Sequence, residues 1–576
     1  MTARGRPHRL ATRAAHALRP FVRRTHLSST LLALAGYLVS MSPSLLPRTW
    51  YIQGAIAGIS ATFGYAVGRL LESLAGAAGR WAGLEVTMRP AAWRLLRWGW
   101  PTLLVVILVV TPFAMLRRHQ RTAEIVGTEA PRAVELLYAT GLALLVFALL
   151  MGVWEALSAL VSLTSRQLRR ALPRWAAQTI AAVAVVALLG YAGDRLVVDT
   201  FVARAVSNAD TVNAAGLRDA PPDSPLRSGG PGSGESWASL GHAGRTFVRS
   251  GPTQEQIARV TGSTATEPIR VYAGLTRDRD LDDTAAAVVA ELERTGAFER
   301  EAILVIVTTG TGWVNEWVPS AFEFLSGGDS AVAAMQYSTL PSALAFIESA
   351  TTPPQAGTAL LTAVEEALAG LPEDSRPGLY LSGESLGAYG ANAAFDSLED
   401  MVERLDGAVF TGTPGFTALH EEITGSRVIS STEVLPVIDD GRHVRFASEP
   451  DELEADQFGR GLGPWERPRI VYLQNRSDPV VWWHPRLLIE TPDWLEETRR
   501  GSPAEQMSWA PFVTFWQVTA DLGWANSAPP GEGHRYDAEV VPAMAAVLGL
   551  DPGADEDIVD QIVAAISSNG RTALGP

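Results

Sequence analysis

The sequence predicts two architectures in one chain: an N-terminal α-helical transmembrane bundle, followed by an α/β domain built on a mostly parallel sheet. Three observations predict it. Of the 576 residues 47% are hydrophobic, and the mean hydropathy is +0.10, high for a chain that is soluble throughout. The charge is divided: residues 1–200 hold 22 arginines against eight acidic residues, while the whole chain is at −15, so the remainder is strongly acidic. Beyond residue 236, short apolar runs alternate with amphipathic stretches of helix length, the pattern of strands and helices that build a parallel sheet.

The elements follow in order. Residues 1–26 contain seven arginines and no acidic residue and read as a basic cytoplasmic tail. The apolar run 27–46 follows without a small-residue cleavage site and with further apolar segments behind it, so it reads as a first anchor rather than a removable signal. Further spans are expected at 52–71, 99–116, 134–160 and 176–196, each near the roughly 20 residues a bilayer helix needs. That makes about five helices across residues 27–200. Gly54 with Gly58, and Gly64 with Gly68, have the spacing that lets two membrane helices approach closely. Arginine placement puts the tail and the loops holding Arg80, Arg89, Arg94, Arg97, Arg166, Arg169, Arg170 and Arg174 in the cytoplasm. An odd number of spans then puts the α/β domain outside a multi-pass plasma-membrane protein, although Arg117, Arg118, Arg121 and Arg132 pull the other way. Acidic residues lie near the span ends and not inside them, which favours an anchor over a transporter.

Residues 201–235 include Pro-Pro-Asp-Ser-Pro and Ser-Gly-Gly-Pro-Gly-Ser-Gly, a composition expected of a flexible linker. The α/β domain is expected over 236–576. Its strands are expected at 268–275, 302–308, 377–382, 406–411 and 469–473, with helices at 282–294, 357–369, 386–405 and 538–548. The acidic stretch 416–466 is long for a loop and lies where a cap over a site is built.

Chemistry concentrates at Gly383-Glu384-Ser385-Leu386-Gly387, between an apolar strand-like run and a helix-forming segment. A sharp strand-to-helix turn needs small residues on both sides of its central residue, and it lifts a serine hydroxyl to the amino end of a helix. There, free N–H groups and the helix dipole favour the negative charge of an acyl-transfer intermediate. Ser385 is thus the candidate nucleophile, and the N–H of Leu386 the candidate first oxyanion donor. A second donor is expected from Thr311, Gly312 or Trp313, in the loop after the strand at 302–308. A serine needs a base, and the histidines after it are His420, His443, His484 and His534. His534, in a glycine-rich loop before the last helix, fits the order nucleophile, acid, base. Asp478, just past the strand at 469–473, is the candidate acid, with Asp439, Asp440 and Asp493 as rivals. Trp313, Trp317, Trp482 and Trp483 lie near these loops and are candidates for an apolar substrate pocket. With no cysteine and no lysine in the chain, disulfides, thiolate metal sites and a cysteine nucleophile are excluded. No nucleotide fingerprint, metal cluster or basic nucleic-acid patch stands out, so neither a cofactor nor a metal is expected, and no nucleic-acid partner.

The segments GESLGAYGA with Ser385, NRSDPVVWW with Asp478 and GEGHRY with His534 resemble the alpha/beta-hydrolase superfamily. Together with SPSLLPR at 42–48, EPIRVYAGL at 267–275 and TGTGWVNE at 309–316, the layout is similar to a bacterial membrane-anchored alpha/beta-hydrolase family with a multi-span N-terminal region. The resemblance implies a Ser-Asp-His hydrolase with Ser385 as nucleophile, Asp478 as orienting acid and His534 as base. Two features depart from the pattern: residues 507–522 read as a helix where a last strand is usual, and no His-Gly precedes the second oxyanion donor. The expected activity is hydrolysis of an ester or related acyl compound, lipid-like given the anchor and the tryptophan-rich loops. An acyltransferase using the same residues, and a non-catalytic membrane scaffold, are the alternatives.

Overall fold

The computed structural model describes residues 27–83, 90–193, 208–209, 211–497, 501–550 and 556–568. The basic tail 1–26 and the first part of the expected linker, 201–207, lie outside them. The chain divides into two compact units: one combines the N-terminal helices with residues 506–520, and the other holds nearly all the rest.

Among the described residues, the N-terminal part of the first unit holds five helices: α1 (Leu27–Ser40), α2 (Trp50–Trp81), α3 (Pro90–Ile125), α4 (Ala133–Leu168) and α5 (Arg174–Gly193). Four of them, all but α1, are long and apolar enough to cross a membrane. The first apolar run, expected as a full span over 27–46, is helical from the first described residue as far as Ser40. Pro43 and Pro47 end the helical stretch, and residues 40–46 form a buried turn.

Packing in this unit comes down to backbone contact. A Cβ on Gly64 would lie 2.2 Å from Leu32 O, and one on Gly68 2.3 Å from Ser29 Cα, so these two glycines seat α1 on α2. Gly54 and Gly58 do the same toward α4, where a Cβ would meet Ala139 O at 2.7 Å and Val146 Cβ at 2.6 Å. The two glycine pairs therefore serve different neighbours. Residues 506–520 close the same unit: Phe512 stacks on Phe63 with ring centroids 3.8 Å apart. Fully buried Gln517 donates to the carbonyls of Ser40 and Ser42 at 3.2 and 3.1 Å.

The second unit is organised on a seven-stranded, all-parallel sheet: β1 (Ile269–Ala273), β2 (Ala302–Val307), β3 (Ser330–Met335), β4 (Gly378–Glu384), β5 (Gly407–Thr411), β6 (Val444–Ala447) and β7 (Arg469–Leu473), in the order β1-β3-β2-β4-β5-β7-β6. Nearly every strand residue is buried, as expected when helices cover both faces of a parallel sheet. On one face Val288 and Leu292 of helix α6 (Leu281–Thr295) and Leu360 and Val364 of α7 (Thr352–Ala369) share a core with Ile303, Val305 and Leu381. On the other, Val541 and Met544 of α8 (Val540–Leu548) and Ile562 of α9 (Glu556–Ser568) pack with Leu304 and Val471.

Several expectations need correction here. Strand β3 is Ser-Ala-Val-Ala-Ala-Met, too poor in branched side chains to announce itself. The acidic stretch 416–466 contains β6, the sheet's outer strand beside β7. The helix expected over 386–405 is two helices, Leu386–Asn392 and Leu398–Arg404, the second capped by the Ser397 side chain. The Gly/Pro stretch before residue 236 is not a free linker along its whole length. Leu226 O accepts the Arg270 N–H and the Ser228 N–H donates to Arg270 O, both at 3.2 Å. The Arg227 guanidinium donates to Val248 O and Ser250 O. β1 lies at the sheet edge, where unpaired backbone groups need partners, and this segment supplies them.

Candidate active site

Ser385 stands at the end of β4 and caps the helix Leu386–Asn392 with φ 56° and ψ −123°. Positive φ in a non-glycine residue stores on the order of 1–3 kcal/mol, held by the surrounding structure. The flanking glycines make the turn possible: a Cβ on Gly383 would lie 2.6 Å from Gly387 C, and one on Gly387 2.1 Å from Val307 O. The Ser385 N–H donates to Thr411 O at the end of β5, at 3.0 Å, which ties the elbow to the neighbouring strand.

The loop after β7 brings Asp478 to the imidazole of His534, with Nδ1 2.7 Å from Oδ2. Both groups are buried, Asp478 completely. The same oxygen accepts the Tyr536 hydroxyl at 2.8 Å, and the other, Oδ1, accepts the Val480 N–H at 2.8 Å. Asp478 is therefore a helix cap and an imidazole partner at once. Asn475 clasps the histidine loop by donating from Nδ2 to Gly533 O and Arg535 O at 3.0 and 3.1 Å. Its backbone N–H donates to the Tyr536 hydroxyl. Ser477 bonds the Glu532 carboxylate and accepts the Gly533 N–H, and the His534 N–H donates to Ala525 O. The loops carrying Asp478 and His534 thus hold each other from several directions.

His534 Nε2 is buried and has no hydrogen-bond partner. The imidazole packs against Gly412, where a Cβ would come within 2.4 Å of His534 Cε1. Gly412 directly follows Thr411, whose carbonyl receives the Ser385 N–H. The other three histidines after the elbow are engaged elsewhere: His420 with Gln474, His443 with Pro468 O and His484 with the Arg486 N–H. Of the rival acids, Asp493 pairs with Arg427 at 2.6 Å, and Asp439 and Asp440 form a tight turn with positive φ.

A second carboxylate belongs to this neighbourhood. Glu384 is buried beneath the elbow and accepts from Asn315 Nδ2 at 2.7 Å and from the Thr411 hydroxyl at 3.1 Å. Asn315 also donates to Tyr536 O at 2.7 Å, so one amide links the elbow to the residue that supports Asp478. Burial pushes the Glu384 carboxyl above its usual range, against the pull of His534, Asn315 and Thr411. For His534 burial disfavours the charged form, but Asp478 and then Glu384 outweigh it and hold the imidazole above 6.5.

On the oxyanion side, the Gly312 N–H is already spent on Thr309 O at 2.8 Å inside a turn. That removes Gly312 from the three expected second donors and leaves Thr311 and Trp313. The turn is braced by Tyr272, whose hydroxyl donates to Gly312 O, and by Gln336, which donates to Thr311 O. Of the four tryptophans near these loops, Trp317 and Trp482 are buried in the core, and Trp482 donates to Asn475 O. Among the described residues, no three His, Asp or Glu side chains are grouped as metal ligands are. Sequence reasoning missed Asn315, Asn475 and Tyr536. Each lies inside a segment already singled out, yet the group it supports is 58 or more positions away in the chain.

Residues 269–562 match the model of the alpha/beta-hydrolase family, and residues 41–252 match the model of that family's N-terminal region. No curated protein and no solved structure matches the chain. With the family model spanning more than half of the sequence, and a parallel sheet whose fourth strand ends in a Gly-x-Ser-x-Gly turn, the chain belongs to the alpha/beta-hydrolase family.

Proposed function

We propose that this protein is a membrane-anchored serine hydrolase that cleaves an ester or related acyl compound of lipid-like character through Ser385, His534 and Asp478. The observation that carries the reading is the 2.7 Å bond from His534 Nδ1 to Asp478 with Nε2 left open, together with a serine in strained elbow geometry whose N–H is tied to Thr411, next to the Gly412 that the imidazole packs on. Asp478 keeps the ring proton on Nδ1, so Nε2 is the proton acceptor. Nε2 takes the Ser385 hydroxyl proton as Oγ bonds to the carbonyl carbon, and the carbonyl oxygen becomes an oxyanion facing the Leu386 N–H and one of Thr311 or Trp313. Collapse of the tetrahedral intermediate breaks the bond to the leaving alcohol, which takes the proton from Nε2. Water then repeats the sequence on the acyl-enzyme, releasing the acid and restoring Ser385. The long apolar helices hold the protein in a cell membrane, where acyl lipids are at hand.

The test is fluorophosphonate labelling of the full chain in membranes. The native protein should label, Ser385→Ala should not, and His534→Ala should label at least a hundredfold more slowly. A folded native protein that stays unlabelled would overturn the reading.

A further inference from the structure

Four half-buried aromatic side chains meet at the carboxyl ends of the strands. Phe346 follows β3, Tyr389 follows β4, Phe416 follows β5 and Trp483 follows β7. Their ring centroids lie 5.9 Å apart for Phe346 and Tyr389, 5.0 Å for Phe346 and Phe416, 5.5 Å for Tyr389 and Phe416 and 5.8 Å for Phe416 and Trp483. Two of them, Tyr389 and Phe346, connect to the nucleophile through the chain and its packing. Tyr389 lies one helical turn after Ser385 and donates its N–H to Ser385 O. Leu386, next to the nucleophile, packs with Leu340, Leu344, Ala345, Phe346 and Tyr389. Phe416 and Trp483 each come five residues after a group already described, Thr411 and Asp478. Apart from the Tyr389 hydroxyl and the Trp483 indole nitrogen, the wall offers no polar side-chain group, and the Tyr389 hydroxyl is turned away to Ala350 O.

Resting on the hydrolase reading, we propose that Phe346, Tyr389, Phe416 and Trp483 form the acyl pocket, and that the acyl group is an uncharged, apolar chain longer than acetyl. The acyl carbon is bonded to Ser385 Oγ in the intermediate, so whatever it carries must lie against the groups nearest that oxygen along the helix, which are Leu386 and Tyr389. The leaving group departs toward His534. Ligands of open parallel sheets bind at the carboxyl ends of the strands, where these rings stand. A neighbouring cavity of about 310 Å³ offers the opposite chemistry. Its lining includes the Arg427–Asp493 and Arg486–Glu421 ion pairs. An apolar chain there would desolvate those pairs with nothing in return, and with Glu433 and Glu490 also in the lining and both arginines already paired, a carboxylate chain end finds no free cation among the described residues there.

The test uses the full chain in detergent micelles. It compares kcat/KM for p-nitrophenyl acetate, butyrate and hexanoate and for the p-nitrophenyl monoester of adipate, with fluorophosphonate labelling of Ser385 run in parallel. Full burial of a methylene is worth about fourfold in rate. The native enzyme should gain about two- to fourfold per methylene from acetate to hexanoate, and should disfavour the adipate monoester by about tenfold or more against hexanoate. Trp483→Ala and Phe416→Ala should flatten the series, and Trp483→Phe should keep most of it. If Phe416→Ala does not fold, the two Trp483 variants decide. A flat native series, or preference for the adipate ester, with Ser385 labelling intact overturns the acyl pocket and leaves the hydrolase standing. If Ser385 does not label, the hydrolase reading fails and this inference with it.

Discussion

In the helical unit the residues that decide packing have almost no side chain, whereas in the α/β unit the decisive residues are buried, polar and bonded to one another. Gly54, Gly58, Gly64 and Gly68 bring helices together until backbone touches backbone. Asn315, Asn475, Asp478 and Tyr536 hold loops together by hydrogen bonds that would be costly to leave unmade. The difference follows from solvent. In lipid, apolar side chains gain nothing by leaving their surroundings, so close contact is what attracts helices. In water, a sheet buried on both faces supplies the stability, and polar groups can then be fixed at its rim.

The comparison can be broken most severely at the polar end. Asp478→Asn preserves the shape of the acid but loses the charge that orients and stabilises the imidazole, and kcat on an activated ester should fall by about 10⁴. The melting transition of the helical unit in detergent should not move. A next test works from the other side. Gly58→Leu would drive a side chain into Val146, with a Cβ already at 2.6 Å, and should destabilise the helical unit by about 1–3 kcal/mol. Melting of the detergent-solubilised protein would show it, and equal stability of variant and native would mean that α2 and α4 do not pack through this glycine.

The smallest expected effect sharpens the polar network itself. The proposed base works only when neutral, and His534 is held above 6.5 by Asp478 and Glu384 against its burial. Activity should therefore fall as pH drops through that raised value. Glu384→Gln keeps the size and the Asn315 donor but removes one carboxylate, so the acidic limb of the kcat/KM profile should move to lower pH while the rate on the plateau changes little. An unmoved limb would mean that Glu384 is already neutral in the working enzyme, in line with the upward push of its own burial.

What could be read from the sequence varied with the physics of each element. The strands at 302–307 and 469–473 are rich in Ile, Val and Leu and were legible as strands. Ser330–Met335 was not, because its three alanines serve a helix as well as a strand. β6 was hidden inside an acidic insertion, since an outer strand needs only four residues and one partner. The Gly/Pro stretch near Arg227 misled for a different reason: composition reports what a segment cannot bury, and not the sheet edge it can cover. At the candidate site, Ser385, Asp478 and His534 carried motif signals, and the structure brings the last two into contact. The supports were harder to find, because a hydrogen bond between Asn315 and Tyr536 spans 221 residues and leaves no local pattern.

The segment 507–522, read from the sequence as a helix where a strand is usual and helical over Val513–Asp521, has a further consequence. It contributes Phe512 and Gln517 to the helical unit, so that unit draws on residues separated by more than 300 positions of chain. During synthesis the N-terminal helices emerge from the ribosome and enter the bilayer long before their last partner has been translated. The carbonyls of Ser40 and Ser42 have early partners in Gln53 and Arg48, but Phe63 must wait for Phe512 until nearly nine-tenths of the protein exists. Assembly of the membrane-spanning unit is thereby timed by completion of the hydrolase that follows it.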